Sequence, residues 1–154
     1  MLKKSLCLAL VCSLLFCCVC CSSSSGSVKR YTYDDLSYSV PASWNADVDD
    51  PDLTFMQYSD DENRLVMASK YEASSPSRGK LFNWLNDDGI SYDVSNVSVS
   101  SQHTVHGAVY EQDGFTRYIY PVTASNGDEY RLTFILKEPD EKFVASVMSS
   151  VDIG

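Results

Sequence analysis

Cysteine is absent from the chain after position 21. The six cysteines are Cys7, Cys12, Cys17, Cys18, Cys20 and Cys21. An even number of cysteines in an exported protein ordinarily indicates a disulfide framework, but here the framework would lie entirely within the N-terminal segment. We therefore expect a folded part without disulfides and without a thiol for nucleophilic catalysis.

Basic residues are also scarce. The chain has 12 lysines and arginines against 21 aspartates and glutamates, which gives a net charge of −9. A surface of this kind repels phosphate backbones, so we expect no binding to nucleic acid. The excess of acid is typical of a surface that keeps a domain soluble.

Motifs that would identify a reaction are missing. The sequence contains no Gly-x-Ser-x-Gly turn to present a nucleophile and no glycine-rich loop to hold a phosphate. Carboxylate pairs such as Asp87 and Asp88 are expected on any acidic, solvated surface. We therefore expect no catalytic residue and no cofactor.

Two features of the sequence resemble metal sites, and neither meets the requirements of one. His103 and His106 are the only histidines, and residues three apart on a strand point to opposite faces, so we expect no shared metal. An acidic loop is predicted over residues 45–52. Counted from Asp47, an EF-hand would need glycine at the sixth position and glutamate at the twelfth, and Asp52 and Tyr58 occupy these places.

What the chain does have begins with an apolar leader. Lys3 and Lys4 precede an apolar stretch over residues 6–16, and small or polar residues follow. A positively charged start, an apolar core and a cleavage region of small residues are typical of a secretory signal peptide. We assign this signal peptide to residues 1–20. An uncleaved anchor is the alternative, although a spanning helix needs about 20 apolar residues and this stretch is shorter.

The cysteine cluster at the end of the leader resembles a lipobox, the processing site of bacterial lipoproteins. Cys21 fits this pattern best because Cys20 precedes it and serines follow. Cys18 is the alternative, with Leu15 three residues before it, but Val19 is a poor follower. The resemblance implies lipidation of Cys21, with palmitate-type acyl chains that hold the protein on the outer side of the cell membrane.

The remainder divides into a tether and one domain. Residues 21–30 form the lipidated cysteine and a serine-rich tether that has too little apolar surface to fold. Residues 31–153 have the length of a single domain. Loss of Lys3 and Lys4 with the leader leaves 10 basic residues against 21 acidic ones, a net charge of −11.

Periodicity predicts the elements of this domain. Leu36, Tyr38 and Val40 alternate with serines, which indicates a half-buried strand. Hairpins are predicted for residues 53–71 and 115–137, the second with an Asn-Gly turn, and further strands are predicted for residues 92–110.

Two helices are predicted as well. The first is expected to have Ser75 as its N-cap, Pro76 at its first position and Gly89 just beyond its end. The second is expected to begin near Asp140 and to present an apolar face that includes Phe143 and Met148. The prediction is an α+β fold in which two helices pack on an antiparallel sheet.

This order of elements resembles the PsbP-like fold, including the DcrB-type and LpqN-type bacterial lipoproteins. The resemblance is carried by residues 37–44, 130–135 and 143–151, and it implies a fold rather than a catalytic set. The leading hypothesis is a monomeric, non-catalytic binding or accessory module outside the cytoplasmic membrane, with an envelope protein as a possible partner. The alternatives are an envelope-associated hydrolase and a structural or assembly factor that docks on a membrane complex.

Overall fold

The computed structural model describes residues 26–50, 54–100 and 103–154, and these form an α+β fold, as predicted. The strands are β1 (Val28–Tyr33), β2 (Leu36–Pro41), β3 (Asn45–Asp50), β4 (Thr54–Tyr58), β5 (Arg64–Tyr71), β6 (Asp93–Ser100), β7 (His103–Gln112), β8 (Phe115–Thr123), β9 (Glu129–Leu136) and β10 (Asp152–Ile153). The helices are α1 (Leu81–Asp87) and α2 (Glu141–Ser149). Within these residues, no helix is long and apolar enough to cross a bilayer.

A seven-stranded antiparallel sheet forms the body of the domain. Its strand order is β3-β4-β5-β9-β8-β7-β6, and a small sheet of order β1-β2-β10 accompanies it. The chain leaves the large sheet at β5 and re-enters it at the far edge as β6. The connection that contains α1 must therefore cross one face of the sheet.

The main core lies on the opposite face, where α2 and the small sheet pack. On β9, Leu132 and Phe134 point into this core, and α2 contributes Val144, Val147 and Met148, all of them buried. Asp140 caps α2, because its carboxylate accepts a hydrogen bond from the Phe143 amide at 3.0 Å. The predicted start and apolar face of this helix are confirmed.

Helix α1 covers a second, smaller core. Leu81 and Leu85 are buried against Ala108, Tyr110 and Ile119 of β7 and β8. These strand residues alternate with those that face the main core, so the two faces of β8 contribute to different cores.

The N-terminal assignments differ from the structure in one respect. The tether was predicted to extend through residue 30, but β1 already begins at Val28 and pairs with β2 along its whole length. Regular backbone hydrogen bonding therefore starts directly after the serine-rich run, which ends at Ser27. The predicted signal peptide, Cys21 and Cys18 lie outside the described residues.

The acidic loop prediction was wrong for most of its length. Residues 45–50 form β3, which pairs with β4 at the edge of the large sheet. Charged residues are common on edge strands, where they discourage pairing with other chains. Backbone pairing with β4 outweighs the low strand propensity of aspartate.

The predicted start of α1 was also wrong. The helix begins at Leu81, five residues after Pro76, and Gly79 has a left-handed φ of 68° that helix geometry does not allow. Its predicted end is confirmed, because Asp88 is the C-cap and Gly89 follows with a φ of 68°. The backbone of the residues before the helix instead forms hydrogen bonds with side chains of β9.

Candidate functional site

An open groove lies between α1 and the exposed face of the large sheet. We call it the α1 groove. Its volume is about 570 Å³, within the range typical of small-molecule sites. Its lining residues are Met67, Ser69 and Tyr71 of β5, Arg131 and Thr133 of β9, Arg117 and Ile119 of β8, Tyr110 of β7, and Pro76, Ser77, Lys80, Leu81, Asn83, Trp84, Asp87 and Asp88 of the crossing segment.

The strand positions that form the floor follow from alternation. On β5, Val66 and Ala68 are buried in the main core, so Met67, Ser69 and Tyr71 face the groove. On the neighbouring strands β7, β8 and β9, the side chains that line the groove likewise alternate with those that face the main core. The floor is thus the side of the sheet that α2 does not cover.

The wall is held in place by a buried ion pair that we call the Glu129 clamp. Glu129 accepts a hydrogen bond from Arg131 Nε at 2.7 Å and another from the backbone amide of Gly79 at 2.7 Å. Arg131 in turn donates to the Ser77 carbonyl at 2.6 Å and stacks on the ring of Tyr71 at 4.0 Å. Only 8% of the Arg131 side chain and 5% of the Glu129 side chain are exposed.

A second cluster fixes the beginning of the same segment. Asp128 accepts a hydrogen bond from the Ala73 amide at 2.8 Å and forms an ion pair with Lys70 at 3.0 Å. Lys70 also pairs with Asp34, whose carboxylate accepts a hydrogen bond from Tyr130 at 2.8 Å. We call these four side chains, Asp34, Lys70, Asp128 and Tyr130, the Lys70 cluster.

Charges within the Lys70 cluster shift one another. The hydrogen bond from Lys70 is the main reason that the pKa values of Asp34 and Asp128 lie below the usual aspartate value. Burial, reinforced by Asp34, raises the pKa of Tyr130 to about 12. The cluster therefore binds the start of the crossing segment most firmly when both aspartates are ionised and Lys70 is protonated.

Arg117 presents a guanidinium group to the groove. Its Nε atom is buried and has no hydrogen-bond partner among the described residues. Its terminal nitrogen lies 3.8 Å from Asp113, a side chain that is 79% exposed. Burial raises the pKa of Tyr110, and the positive charge of Arg117, together with a hydrogen bond between the two side chains, offsets part of that rise.

An aromatic side chain lies on the wall of the groove. Trp84 of α1 is 39% exposed, whereas the neighbouring Leu81 and Leu85 are buried. A tryptophan in this position offers an apolar face on which a flat ring can stack. Asp87 and Asp88, the predicted surface carboxylates, are exposed at the end of the same helix, as expected.

The histidines lie elsewhere. His103 and His106 both line a second groove of about 490 Å³ near β10, and His106 Nδ1 lies 2.6 Å from the side-chain oxygen of Asn96. In the described ranges, no group of three or more histidine, cysteine or acidic side chains could hold a metal.

Sequence reasoning did not identify the α1 groove. Arg117 lies between Thr116 and Tyr118, so alternation alone places it on the face opposite Tyr118 and Tyr120. The sequence therefore predicts the face of the strand on which Arg117 lies. It does not predict that the crossing segment lies over the same face and forms a groove with it.

The comparisons with known proteins concern the fold alone. No family model matches the chain, and no curated protein matches it. A crystal structure from Bacteroides thetaiotaomicron VPI-5482 is similar, with a TM-score of 0.55 and 17% identity over 84% of this chain. The match covers 48% of that protein, so the chain spans about half of its length.

Proposed function

We propose that this protein is an extracytoplasmic lipoprotein, anchored through acyl chains on Cys21, whose domain binds a small ligand in the α1 groove without transforming it. The observation that carries the binding role is a groove of about 570 Å³ that is lined by the 26% exposed side chain of Arg117 and the exposed ring of Trp84. Membership of the PsbP-like lipoproteins is part of the proposal. The predicted leader and cysteine cluster support the membrane location.

Binding is preferred over hydrolysis because of what lines the groove. A glycoside hydrolase would need two suitably spaced carboxylates, but Asp87 and Asp88 are adjacent and exposed, and Glu129 is neutralised by Arg131. Within the described part of the chain, no histidine lines this groove to activate Ser69 or Ser77. The hydroxyl groups there therefore lack a general base of the usual kind.

A groove-filling substitution tests the binding role. Ser69 faces the groove from β5, so Ser69→Trp should fill it; Ser146→Trp, on the exposed side of α2 across the sheet, is the matched control. The full-length chain in detergent would be melted with small-molecule fractions of its own culture medium. A ligand at 100 times its dissociation constant stabilises a protein by about 2.7 kcal/mol.

We expect at least one fraction to raise the melting temperature of the wild type and of Ser146→Trp but not of Ser69→Trp. If no fraction stabilises the wild type, or if all three proteins respond equally, the groove is not the binding site. Circular dichroism of each variant would establish that the fold is intact.

The anchor is tested separately. Cys21→Ala should release the protein into the soluble fraction or leave an unprocessed precursor, because two or three acyl chains hold a protein far more firmly than a single chain does. Membrane fractionation and intact mass would measure both results. Normal processing and membrane retention of the variant would overturn the assignment.

A further inference from the structure

Arg117 presents a guanidinium group to the α1 groove, and the described protein engages only part of it. A guanidinium group carries five N–H donors in a planar fork, and the Nε of Arg117 is buried without a partner. The enclosed Nε is out of reach of a ligand, but the side chain as a whole is 26% exposed, so a ligand in the groove meets the terminal nitrogens, which carry the other four donors. A contact of 3.8 Å with exposed Asp113 and a hydrogen bond with Tyr110 use only some of these donors.

The two other cations that line the groove, Arg131 and Lys80, are less suited to bind an anion. Arg131 is neutralised by Glu129, and its donors are directed to Glu129 and to the Ser77 carbonyl. Lys80 also lines the groove but is exposed, so water and salt screen its charge. Arg117 is therefore the strongest recognition point for an anion within the groove.

The acidic residues limit which anion fits. Asp87 and Asp88 line the same groove, and the domain as a whole is strongly acidic. A groove lined by two carboxylates, with a third on Asp113 in contact with Arg117, favours a ligand with a single negative charge over a dianionic phosphate. A planar carboxylate also matches the fork of an arginine, which can donate two parallel hydrogen bonds to it.

The apolar side chains of the groove indicate which chemical group the rest of the ligand carries. The 39% exposed ring of Trp84 and the apolar side chains of Met67 and Ile119 line the groove in which Arg117 lies. A flat apolar ring would be buried against these side chains, while its carboxylate reaches the guanidinium. From this arrangement we infer that the α1 groove selects small ring-bearing monocarboxylates, with Arg117 as the specificity-determining residue. This inference rests on the proposed binding role.

Four probes with one ring and different charged groups test the selection: phenylacetate, its neutral amide phenylacetamide, the cation phenethylamine and the dianion phenyl phosphate. Each would be titrated into the full-length chain in detergent by calorimetry, with ligand-observed NMR as a second readout. We expect phenylacetate to bind with a dissociation constant on the order of a few millimolar. The amide should bind about 10-fold more weakly, because a hydrogen bond to a charged group is stronger than a neutral one.

Variants separate charge from stacking. Arg117→Gln should bring phenylacetate and phenylacetamide to within about 2-fold of each other, and Arg117→Lys should retain part of the preference because it keeps the charge but loses the fork. Trp84→Ala should weaken both probes by a similar factor of about 3 to 5. Arg64→Gln removes the same charge on the main-core side of β5 and should change neither.

Three results would overturn the inference: no binding of phenylacetate to the wild type, equal binding of the acid and the amide, or a preference for the cation or the phosphate. A preference that survives Arg117→Gln would also overturn it. These failures differ from failure of the proposed function, in which no culture fraction binds in a way that Ser69→Trp prevents. A groove that binds such a fraction but ignores phenylacetate would retain its function and lose this selectivity.

Discussion

Replacing Glu129 by leucine should destabilise the protein by about 3–5 kcal/mol, because it leaves Arg131 charged and unpaired in a buried position. The side chains of this pair are 5% and 8% exposed, and their contact is 2.7 Å long. The substitution also removes the acceptor for the Gly79 amide. Arg131→Met should cost a similar amount, because it leaves a buried carboxylate.

The double variant Glu129→Leu/Arg131→Met should be much less affected than the sum of the single variants. Replacing both members of a buried pair by apolar residues of similar volume is often nearly neutral. We therefore expect a coupling free energy of about 2–3 kcal/mol in a double-mutant cycle. Urea unfolding of the full-length chain in detergent, followed by tryptophan emission, would measure it.

The same substitution should loosen the wall of the groove locally. Residues 72–80 contain Arg78 and Lys80, which are trypsin sites, and their backbone is held to β9 through Ser77 and Gly79. Loss of about 3 kcal/mol from this attachment corresponds to cleavage there on the order of 100-fold faster under native conditions. Mass spectrometry of the early fragments would locate the cut.

Two results would refute this reasoning. One is additive single-variant effects, which would mean that Glu129 and Arg131 contribute independently. The other is a cost below about 1 kcal/mol for Glu129→Leu, which would place the pair among exposed ion pairs of little value. Unchanged cleavage after Arg78 would show that the clamp does not hold the segment.

The remaining predictions concern the Lys70 cluster and β7. The lowered pKa values of Asp34 and Asp128 contribute stability above the ordinary aspartate value of 3.8, so the free energy of unfolding should fall as the pH drops below about 5. Lys70→Met should flatten this acid dependence in urea titrations at several pH values, and an unchanged slope would exclude the cluster as its source. Gly107→Ala should cost about 1–3 kcal/mol, because its new Cβ would overlap a carbonyl oxygen and a tyrosine ring of β8. Gly26→Ala, which meets open space, is the control, and equal melting temperatures for the two variants would contradict the packing argument.

Local patterns in the sequence were enough to predict most elements. The alternation of Leu36, Tyr38 and Val40, the Asn-Gly turn of the β8–β9 hairpin and the apolar spacing of α2 all correspond to elements of the structure. Each is a short-range signal, because a strand or helix exposes its buried face at a fixed spacing. The α+β class followed from these elements together.

Long-range contacts decided the elements that were predicted wrongly. Gly79 and Ser77 bond to Glu129 and Arg131, some 50 residues further along the chain, and this prevents α1 from starting at Pro76. The strand β3 exists because β4 supplies its backbone partners. Neither partner can be inferred from the local residues.

The sequence by itself predicted a leader and a lipid site at the cysteine cluster, and it determined the excess of acidic residues and the alternating faces of the strands. Only the tertiary structure decided that Arg117 and Trp84 line one groove, because they belong to different elements that the crossing segment brings together. A strand pattern specifies which face a side chain occupies. Which element covers that face, and how much of it stays open to a ligand, depends on contacts between residues that are distant in the chain.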